Sequence, residues 1–427
     1  MIAGKGSGDA VLAMRFGLCA MLCFAVISCG GGGGGGGSSS LSGGSSTGST
    51  GSTGTTTVSN VVNVVVDAGP SAPSSAVVNT LFTTVKVCVP GSTTNCATID
   101  HIEVDTGSFG LRLISSALGS VSLPVQTLSN GNTLLECAQF VDGYSWGPVA
   151  LADVQIAGET ASSVPVEVIG GSSDPVPSDC SSIGPAEDTV LTFGANGVLG
   201  VGVFPQDCGS TCVSTVDNQV YYACTSTQCE ATTVTDASAE VADPVTFFKT
   251  DNNGVIIALA SVPATGSDGV TGTMTFGIDT ETNNASGSQS ILTVDGYGSF
   301  TTAFNGQSLH RSFLDTGSNA LFFNDSSIPT CSTSSDFFCP ASTEALSATL
   351  TGQNDVSAPV DFNVANADTL FANGADLIAF VNLAGPYPMA SGTSTFDWGL
   401  PFYYGRTVYT AFEGATTSVG TGPYVAF

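Results

Sequence analysis

From residue 60 onward, short apolar segments alternate with clusters of Gly, Asn, Asp, Ser and Pro. The apolar segments are rich in Val, Thr, Phe and Tyr, which fit the pleated surface of a sheet. No segment keeps the period of an amphipathic helix over several turns, so the sequence predicts an all-β fold. Representative strands are expected at Val61 to Val66, Leu81 to Val87, Val166 to Ile169, Val255 to Leu259 and Thr407 to Phe412. A few short helices are expected, at Ser115 to Leu118 and Ser342 to Leu350.

The composition limits the classes of partner. Acidic residues outnumber basic residues by 35 to 7 in a chain of 427, which gives a formal net charge of −28. A chain this acidic does not suit nucleic acid, because binding phosphates requires cationic side chains. Hydrophobic residues make up 42% of the chain, which is enough for a sizeable core. The only histidines, His101 and His310, leave little scope for a histidine-based metal site or triad.

The N-terminal segment has the pattern of an export signal. Basic residues precede an apolar run from Phe16 to Ile27, which is too short for a comfortable membrane span. The run ends in small residues before Cys29, a pattern that resembles a bacterial lipobox. Residues 1–28 are therefore expected to be a lipoprotein signal peptide, with a lipid attached to Cys29. A start at Met14 would give a more ordinary signal. The alternative to lipidation is a plain secretory signal with an incidental cysteine.

A low-complexity stretch follows the predicted lipidation site. Eight glycines, Gly30 to Gly37, precede Ser, Thr and Gly up to about Val58. Such a stretch buries too little apolar surface to offset the entropy of ordering it. We therefore expect residues 29–58 to be a flexible tether. A lipid anchor and a tether predict a protein of the bacterial cell envelope, on the periplasmic face or the outer surface of the outer membrane.

Ten cysteines remain of the thirteen once those up to residue 29 are removed, an even number that suits an oxidising compartment. Zinc is the alternative, but the local spacings are not paired C-x2-C and histidine partners are missing. Structural disulfides are therefore favoured. Proximity suggests five pairs, although spacing alone does not fix connectivity: Cys88 and Cys96, Cys137 and Cys180, Cys208 and Cys212, Cys224 and Cys229, and Cys331 and Cys339.

The most informative feature is a short internal repeat. An apolar segment runs into Asp-Thr-Gly-Ser at Asp105 to Ser108, and a second such segment runs into the same four residues at Asp315 to Ser318. One copy means little in a chain rich in Gly, Ser and Thr. Two copies, each at the end of a predicted strand, are harder to attribute to chance. The alternative is a pair of polar turns in which Asp and Gly serve only turn geometry.

These repeats resemble the motif that pepsin-like aspartic proteases carry once in each of two β-rich lobes. Further segments are similar to that family in the same order: Asn196 to Gly202, Gly272 to Asp279, Phe304 to Leu309, and Trp398 to Phe412. The resemblance implies an N-terminal lobe at 59–265 and a C-terminal lobe at 266–427. In layout the chain looks closest to a bacterial family of predicted lipoproteins of unknown function within this superfamily.

The resemblance implies a catalytic pair, Asp105 and Asp315, with a water between the two carboxyl groups. Carboxyl groups this close share one proton and titrate as a pair, for which pepsin is the standard example. The mechanism implied needs no cofactor and no metal. In the family, Thr106 and Thr316 would lock the two loops together. The resemblance also implies that the two carboxylates are supported by Gly107, Ser108, Gly317 and Ser318.

A flap with a Tyr at its tip closes over the pair in this family, and Tyr144 is the candidate here. The alternative is that Tyr144 is an ordinary aromatic residue of a hairpin. The same stretch, Gly143 to Gly147, fits the G-x-S-x-G elbow of a serine hydrolase. That elbow requires a helix after the serine, whereas residues 149–156 have the pattern of a strand. The serine hydrolase is therefore the weaker interpretation.

Two functions remain in competition. The first is a membrane-anchored aspartic endopeptidase that cleaves peptide or protein substrates and acts as a monomer. The second is a catalytically silent scaffold that binds a peptide, a glycan or a protein at the cell surface. The presence of both aspartates favours the enzyme. Acidic turns at Asp251 to Gly254 and Asp279 to Asn284 lack the complete ligand set of a calcium loop.

Overall fold

The structure is a computed structural model, and it describes residues 60–71, 76–216, 220–374, 376–388 and 394–427. The predicted signal peptide, the lipidation site at Cys29 and the whole predicted tether lie outside these residues. Within the described residues, no helix combines the length and the apolar character needed to cross a membrane.

Strands form most of the regular structure, which confirms the all-β prediction. Four short α-helices are described: α1 Ser178–Ser181, α2 Val190–Phe193, α3 Ser210–Ser214 and α4 Ala367–Ala372. Short 3₁₀ helices occupy Ser115–Leu118, Ala237–Ala239, Pro244–Phe247 and Leu400–Tyr403. The strands are β1 Val61–Val66, β2 Leu81–Cys88, β3 Cys96–Asp105, β4 Phe109–Ile114, β5 Thr133–Gln139, β6 Tyr144–Ile156, β7 Glu159–Ile169, β8 Gly197–Val201, β9 Tyr221–Thr225, β10 Gln228–Ala231, β11 Gly254–Leu259, β12 Val270–Phe276, β13 Ile291–Thr293, β14 Phe300–Phe304, β15 Gln307–Leu314, β16 Leu321–Phe323, β17 Glu344–Thr351, β18 Ser357–Val364, β19 Ala384–Gly385, β20 Phe396–Trp398, β21 Thr407–Ala411, β22 Thr416–Thr417, β23 Gly420–Thr421 and β24 Tyr424–Ala426.

One helix prediction is wrong, and the other is confirmed as the 3₁₀ helix Ser115–Leu118. The expected helix at Ser342 to Leu350 is instead strand β17. Glu, Ala and Leu favour a helix locally, but Ala348 and Leu350 are buried at a spacing of two. This strand pairs with β14 on one side and β18 on the other, so tertiary pairing overrides the local propensity.

A large sheet joins strands from both ends of the chain. One end of this sheet follows the order β2-β1-β12-β11-β21-β24-β13, with β13 at the edge. Strand β1 pairs with β12 from Val61↔Thr275 to Val66↔Val270, and β11 pairs with β21. The division into lobes at residue 265 stays a prediction. What the structure adds is that strands on both sides of that boundary share one sheet.

The internal repeat is also a repeat of topology. In the first copy, β8 lies between β3, to which it is parallel, and β4, to which it is antiparallel. In the second copy, β20 lies in the same way between β15 and β16. Each Asp-Thr-Gly-Ser loop therefore leaves one strand and enters another while a third strand crosses between the two. This arrangement holds both loops on rigid elements.

Aromatic packing supports the second copy from behind. Phe396 stacks on Trp398 with ring centroids 4.0 Å apart, and Phe323 stacks on Phe396 at 4.7 Å. The indole Nε1 of Trp398 donates to Thr302 Oγ1 at 3.0 Å, so its polar edge is satisfied although the side chain is buried. Each fully buried ring of this kind contributes about 1.5–3 kcal/mol of apolar burial. The strand that crosses behind the second loop is thereby fixed in place.

All five disulfide pairs expected from proximity are present, which confirms the pairing. The longest-range pair joins β5 to the segment that contains α1, through Cys137 and Cys180. The remaining four close short loops: Cys88–Cys96, Cys208–Cys212, Cys224–Cys229 and Cys331–Cys339.

Candidate active site

The two Asp-Thr-Gly-Ser loops meet in the structure, and each loop binds its own aspartate. Asp105 is the last residue of β3, and Asp315 directly follows β15. Both side chains are fully buried. The amide of Gly107 donates to Asp105 Oδ1 at 2.8 Å, and the amide of Gly317 donates to Asp315 Oδ1 at 2.7 Å. A backbone donor therefore fixes each carboxyl group in its loop.

Glycine is required in both loops because each one faces the carboxyl group of the other loop. A Cβ atom placed on Gly107 would lie 2.6 Å from Asp315 Oδ1, and one on Gly317 would lie 2.6 Å from Asp105 Oδ1. Contacts under 3.0 Å do not occur for real Cβ atoms. The absence of a side chain at these two positions therefore allows the carboxyl groups to approach one another.

The two threonines interlock the loops reciprocally. The amide of Thr106 donates to Thr316 Oγ1, and the amide of Thr316 donates to Thr106 Oγ1, both at 3.0 Å. Each hydroxyl then donates to a carbonyl of the opposite copy, Thr106 to Leu314 at 3.2 Å and Thr316 to Val104 at 2.7 Å. Buried hydrogen bonds contribute about 0.5–1.5 kcal/mol each. These four bonds keep the two carboxyl groups in register.

The serine hydroxyls contact the Oδ2 atoms of the two aspartates, which are called the outer oxygens below. Ser108 Oγ donates to Asp105 Oδ2. Ser318 Oγ lies 3.0 Å from Asp315 Oδ2 and also 2.6 Å from Oδ2 of a third carboxyl group, that of Asp397. Asp397 lies on β20 and is fully buried. Sequence reasoning missed it, although it directly precedes the Trp398-Gly399 landmark.

Burial is the main electrostatic influence on this group of carboxyls. It raises the pKa of Asp315, and the charges of Asp105 and Asp397 raise it further, as does a hydrogen bond to the Asp105 carboxyl. Burial also raises the pKa of Asp397. Two carboxylates in contact in a low dielectric do not both ionise readily, so the contact with Asp105 favours the protonated form of Asp315.

Tyr144 starts β6, directly after the turn that joins β5 to β6. Its ring belongs to a buried cluster with Trp146 and Tyr222. Its amide donates to Pro185 O at 3.1 Å, and its carbonyl accepts from the amide of Glu187 at 2.8 Å. A flap role for Tyr144 stays a prediction. The structure places this residue in the first position of a strand and not in the turn itself.

The turn before Tyr144 reaches the half of the fold that carries the second motif. Val141, within this turn, packs against an apolar cluster that includes Phe322, Phe380 and Tyr387. The hairpin of β5 and β6 therefore contacts the other half of the chain through its tip.

Asn79 forms a second link beside the second motif. Its side-chain amide donates to Asn319 O at 2.7 Å and to Phe380 O at 3.0 Å. Its Oδ1 accepts from the amide of Phe380 at 2.7 Å and from the hydroxyl of Tyr404 at 2.8 Å. Asn79 has a left-handed φ of 49°, which asparagine tolerates better than most residues. No sequence pattern pointed to this residue.

Ser145 does not form a nucleophile elbow. It is buried within β6, which continues to Ile156, so no helix follows the serine. Its hydroxyl donates to Glu167 Oε2 at 2.8 Å. The strand expected at residues 149–156 is confirmed. The serine of the G-x-S-x-G match is a buried strand residue that bonds to Glu167.

Arg112 connects the strand after the first motif to two other segments. Its guanidinium contacts Glu136 Oε1 at 2.5 Å and Asp207 Oδ1 at 2.6 Å, and donates to Phe109 O at 2.6 Å. All these charged groups are buried. Asp207 adjoins the cysteine-rich stretch that begins at Cys208. The arginine therefore joins this stretch and β5 to the strand that leaves the first loop.

The comparisons with known proteins name no activity for this family. None of the curated proteins compared with the chain matches it. Among solved structures, the chain is similar to the crystal structure of the aspartic proteinase from Irpex lacteus, with a TM-score of 0.46 and 16% identity over 86% of this chain and 96% of that chain. Residues 56–427 match the model of the family described as "Protein of unknown function (DUF3443)". Since this match spans most of the sequence, the chain belongs to the DUF3443 family.

Proposed function

We propose that the protein is an aspartic endopeptidase that cleaves polypeptides with water activated between Asp105 and Asp315. The observation that carries this proposal is the meeting of the two repeated loops. They bring two fully buried carboxyl groups into hydrogen-bonding contact, each with its own amide donor. Turns that served geometry alone would have no reason to bury two carboxyl groups against each other.

The chemistry follows from one proton on the pair. The ionised carboxylate removes a proton from a water molecule, and the protonated carboxyl group polarises the carbonyl of the scissile peptide bond. Ser108 and Ser318 hold the outer oxygens, so that the inner oxygens face the reacting groups. The threonine interlock keeps this geometry fixed while the proton moves.

A peptide library tests this function directly. The purified protein without its signal peptide should cleave mixed peptides between about pH 3 and about pH 7, with the best rate on the acidic side, where the pair keeps its proton. A peptide inhibitor with a hydroxyl at the scissile position should bind and stop cleavage. Absence of cleavage at every pH would contradict the proposal.

A binding scaffold is the second candidate, and the depth of the two aspartates favours it. Both are fully buried, which limits the access of water and of a scissile peptide bond to the pair. A scaffold would bind peptide, glycan or protein without turnover. Binding of the hydroxyl-bearing peptide together with no cleavage at any pH would select this function.

For localisation we propose a lipid anchor at Cys29 in the bacterial cell envelope. The lipobox-like residues before Cys29 and the glycine tether after it support this proposal. Replacement of Cys29 by Ser should move the protein from the membrane fraction to the soluble fraction, because serine cannot form the thioether to the lipid. Far-UV circular dichroism of the released body should match the wild type. A variant that stays in washed membranes would refute the anchor.

A further inference from the structure

Asp397 is a buried carboxyl group that the proposed mechanism does not use. It lies on β20, whose neighbour β15 leads directly into Asp315, and its register partner on β15 is Phe313. Its Oδ2 is 2.6 Å from Ser318 Oγ, which is in turn 3.0 Å from Asp315 Oδ2. Its Oδ1 is buried and has no hydrogen-bond partner among the described residues. The three carboxyl groups therefore form a continuous chain through one hydroxyl.

The hydrogen bonds between Asp315, Ser318 and Asp397 require one proton more than the Ser318 hydroxyl supplies. A serine hydroxyl carries one hydrogen, so Ser318 can donate to only one of its two carboxyl neighbours. If Asp315 and Asp397 were both ionised, the other contact would place lone pair against lone pair. One of the two must therefore donate a proton to Ser318 Oγ.

The unpartnered oxygen decides which group donates. A carboxylate spreads its charge over both oxygens, so an ionised Asp397 would leave a charged, buried Oδ1 with no donor. A neutral Asp397 leaves only a carbonyl oxygen in that position, which costs less. Asp397 thus donates from Oδ2 to Ser318, and Ser318 donates to the outer oxygen of Asp315.

The surroundings of Asp397 supply little opposing charge. Burial is the largest cause of its raised pKa; the hydrogen bond with Ser318 opposes this shift, and the charge of Asp105 adds to it. Strand β16, on the other side of β20, contributes Leu321 to Phe323 and no charged group. The titratable and charged groups that reach Asp397 or its neighbours from the other elements are Asp105, Asp315, Tyr387, Tyr403 and Arg311.

The first motif lacks this extension. Among the described residues, the Ser108 hydroxyl has Asp105 as its only carboxyl partner. The two otherwise matching loops therefore differ in one respect, which is that the second loop is connected to a third carboxyl group. A purely structural role would not require a titratable residue at this position, since an amide would satisfy the same serine.

We propose that Asp397 is a positioning residue that holds a proton. Through Ser318, it keeps the outer oxygen of Asp315 hydrogen-bonded. The inner oxygens of the Asp105–Asp315 pair then share the catalytic proton. This proposal rests on the proposed endopeptidase function. The active form then holds two protons among three carboxyl groups. When Asp397 loses its proton, Ser318 turns toward it, and Asp315 must place the remaining proton on its outer oxygen. The inner oxygens lose the shared proton, and catalysis stops.

The consequence is that ionisation of Asp397 sets the alkaline limb of the pH–activity profile. The Asp397→Asn variant keeps a permanent donor to Ser318, because an amide does not ionise in this range. Its alkaline limb should move upward by at least about one pH unit, the usual effect of a charge change at this distance. Asp243→Asn is the matched control, since Asp243 is equally buried and accepts from Val245 N and not from Ser318. An unchanged or lowered limb in Asp397→Asn, or an equal shift in the control, would overturn the proposal.

Infrared spectroscopy tests the proton itself without requiring activity. The wild type near pH 5 should show a protonated-carboxyl band that Asp397→Asn removes. Asp243→Asn should remove only the separate band of Asp243 and leave the Asp397 band in place. Ser318→Ala should move this band to higher frequency, because the acid loses its acceptor. If the wild type cleaves nothing but the band behaves in this way, the endopeptidase function fails and the shared proton stands. If Asp397→Asn removes no protonated band, the proposal is wrong whether or not the enzyme is active.

Discussion

Replacing either aspartate of the pair by Asn should lower the rate of peptide cleavage by about 10²- to 10⁴-fold. Asn keeps the size of Asp105 or Asp315 and can still accept from the Gly107 or Gly317 amide. It cannot ionise, so the remaining carboxyl group can no longer act as base while its partner supplies a proton. The double variant should be little slower than either single variant, because the residues act as a unit.

The measurement is the initial rate of cleavage for the wild type, both single variants and the double variant at the best pH of the wild type. Ser145→Ala is the control, since Ser145 donates to Glu167 within β6 and not to either aspartate. Its rate should stay close to the wild type. Loss of activity in Ser145→Ala with retained activity in the Asn variants would move the chemistry from the aspartates to the G-x-S-x-G stretch.

The sequence predicted the parts of this site that depend on local chemistry. Asp105 and Asp315 were recognisable because glycine, threonine and serine follow each of them in fixed order, and each of those residues makes a contact in the structure. The strands before the motifs were predicted from the apolar segments that run into each Asp-Thr-Gly-Ser. Strand β17 was mistaken for a helix because its Glu, Ala and Leu residues favour a helix until a neighbouring strand pairs with them.

The contacts that were missed are those between distant segments. Asp397 is 82 residues from Asp315, and only the crossing of β20 behind the second loop brings Ser318 between them. Asn79 contacts Phe380 across 301 residues. No local pattern encodes such pairs. An aspartate inside the apolar triplet Phe396-Asp397-Trp398 was nevertheless a usable signal, because a buried strand accepts a carboxyl group only where a partner stabilises it.

The body should be most stable in acid and should lose stability as the pH rises toward neutrality. Asp243 and Asp397 are fully buried, and burial raises the pKa of each. The same cause raises the pKa of Glu240 from 4.5 to about 7, although the amides of Cys208 and Gly209 oppose the shift. In each case the folded state binds a proton that the unfolded state releases at lower pH. Stability is therefore fully present below the unfolded pKa and is lost as the pH rises through the folded pKa.

Glu240 gives this expectation a defined window and a variant to test it. Between about pH 4.5 and about pH 7, the Glu240 carboxyl group is protonated only in the folded state. Each rise of one pH unit in this range therefore lowers the free energy of unfolding by about 1.4 kcal/mol. Glu240→Gln keeps an acceptor for the Cys208 and Gly209 amides but cannot titrate. Urea denaturation at several pH values should show a slope shallower by about that amount in Glu240→Gln. The exposed Glu413→Gln should keep the wild-type slope. Equal slopes in all three proteins would mean that Glu240 ionises alike in the folded and unfolded states, and the acid preference of the fold would need another cause.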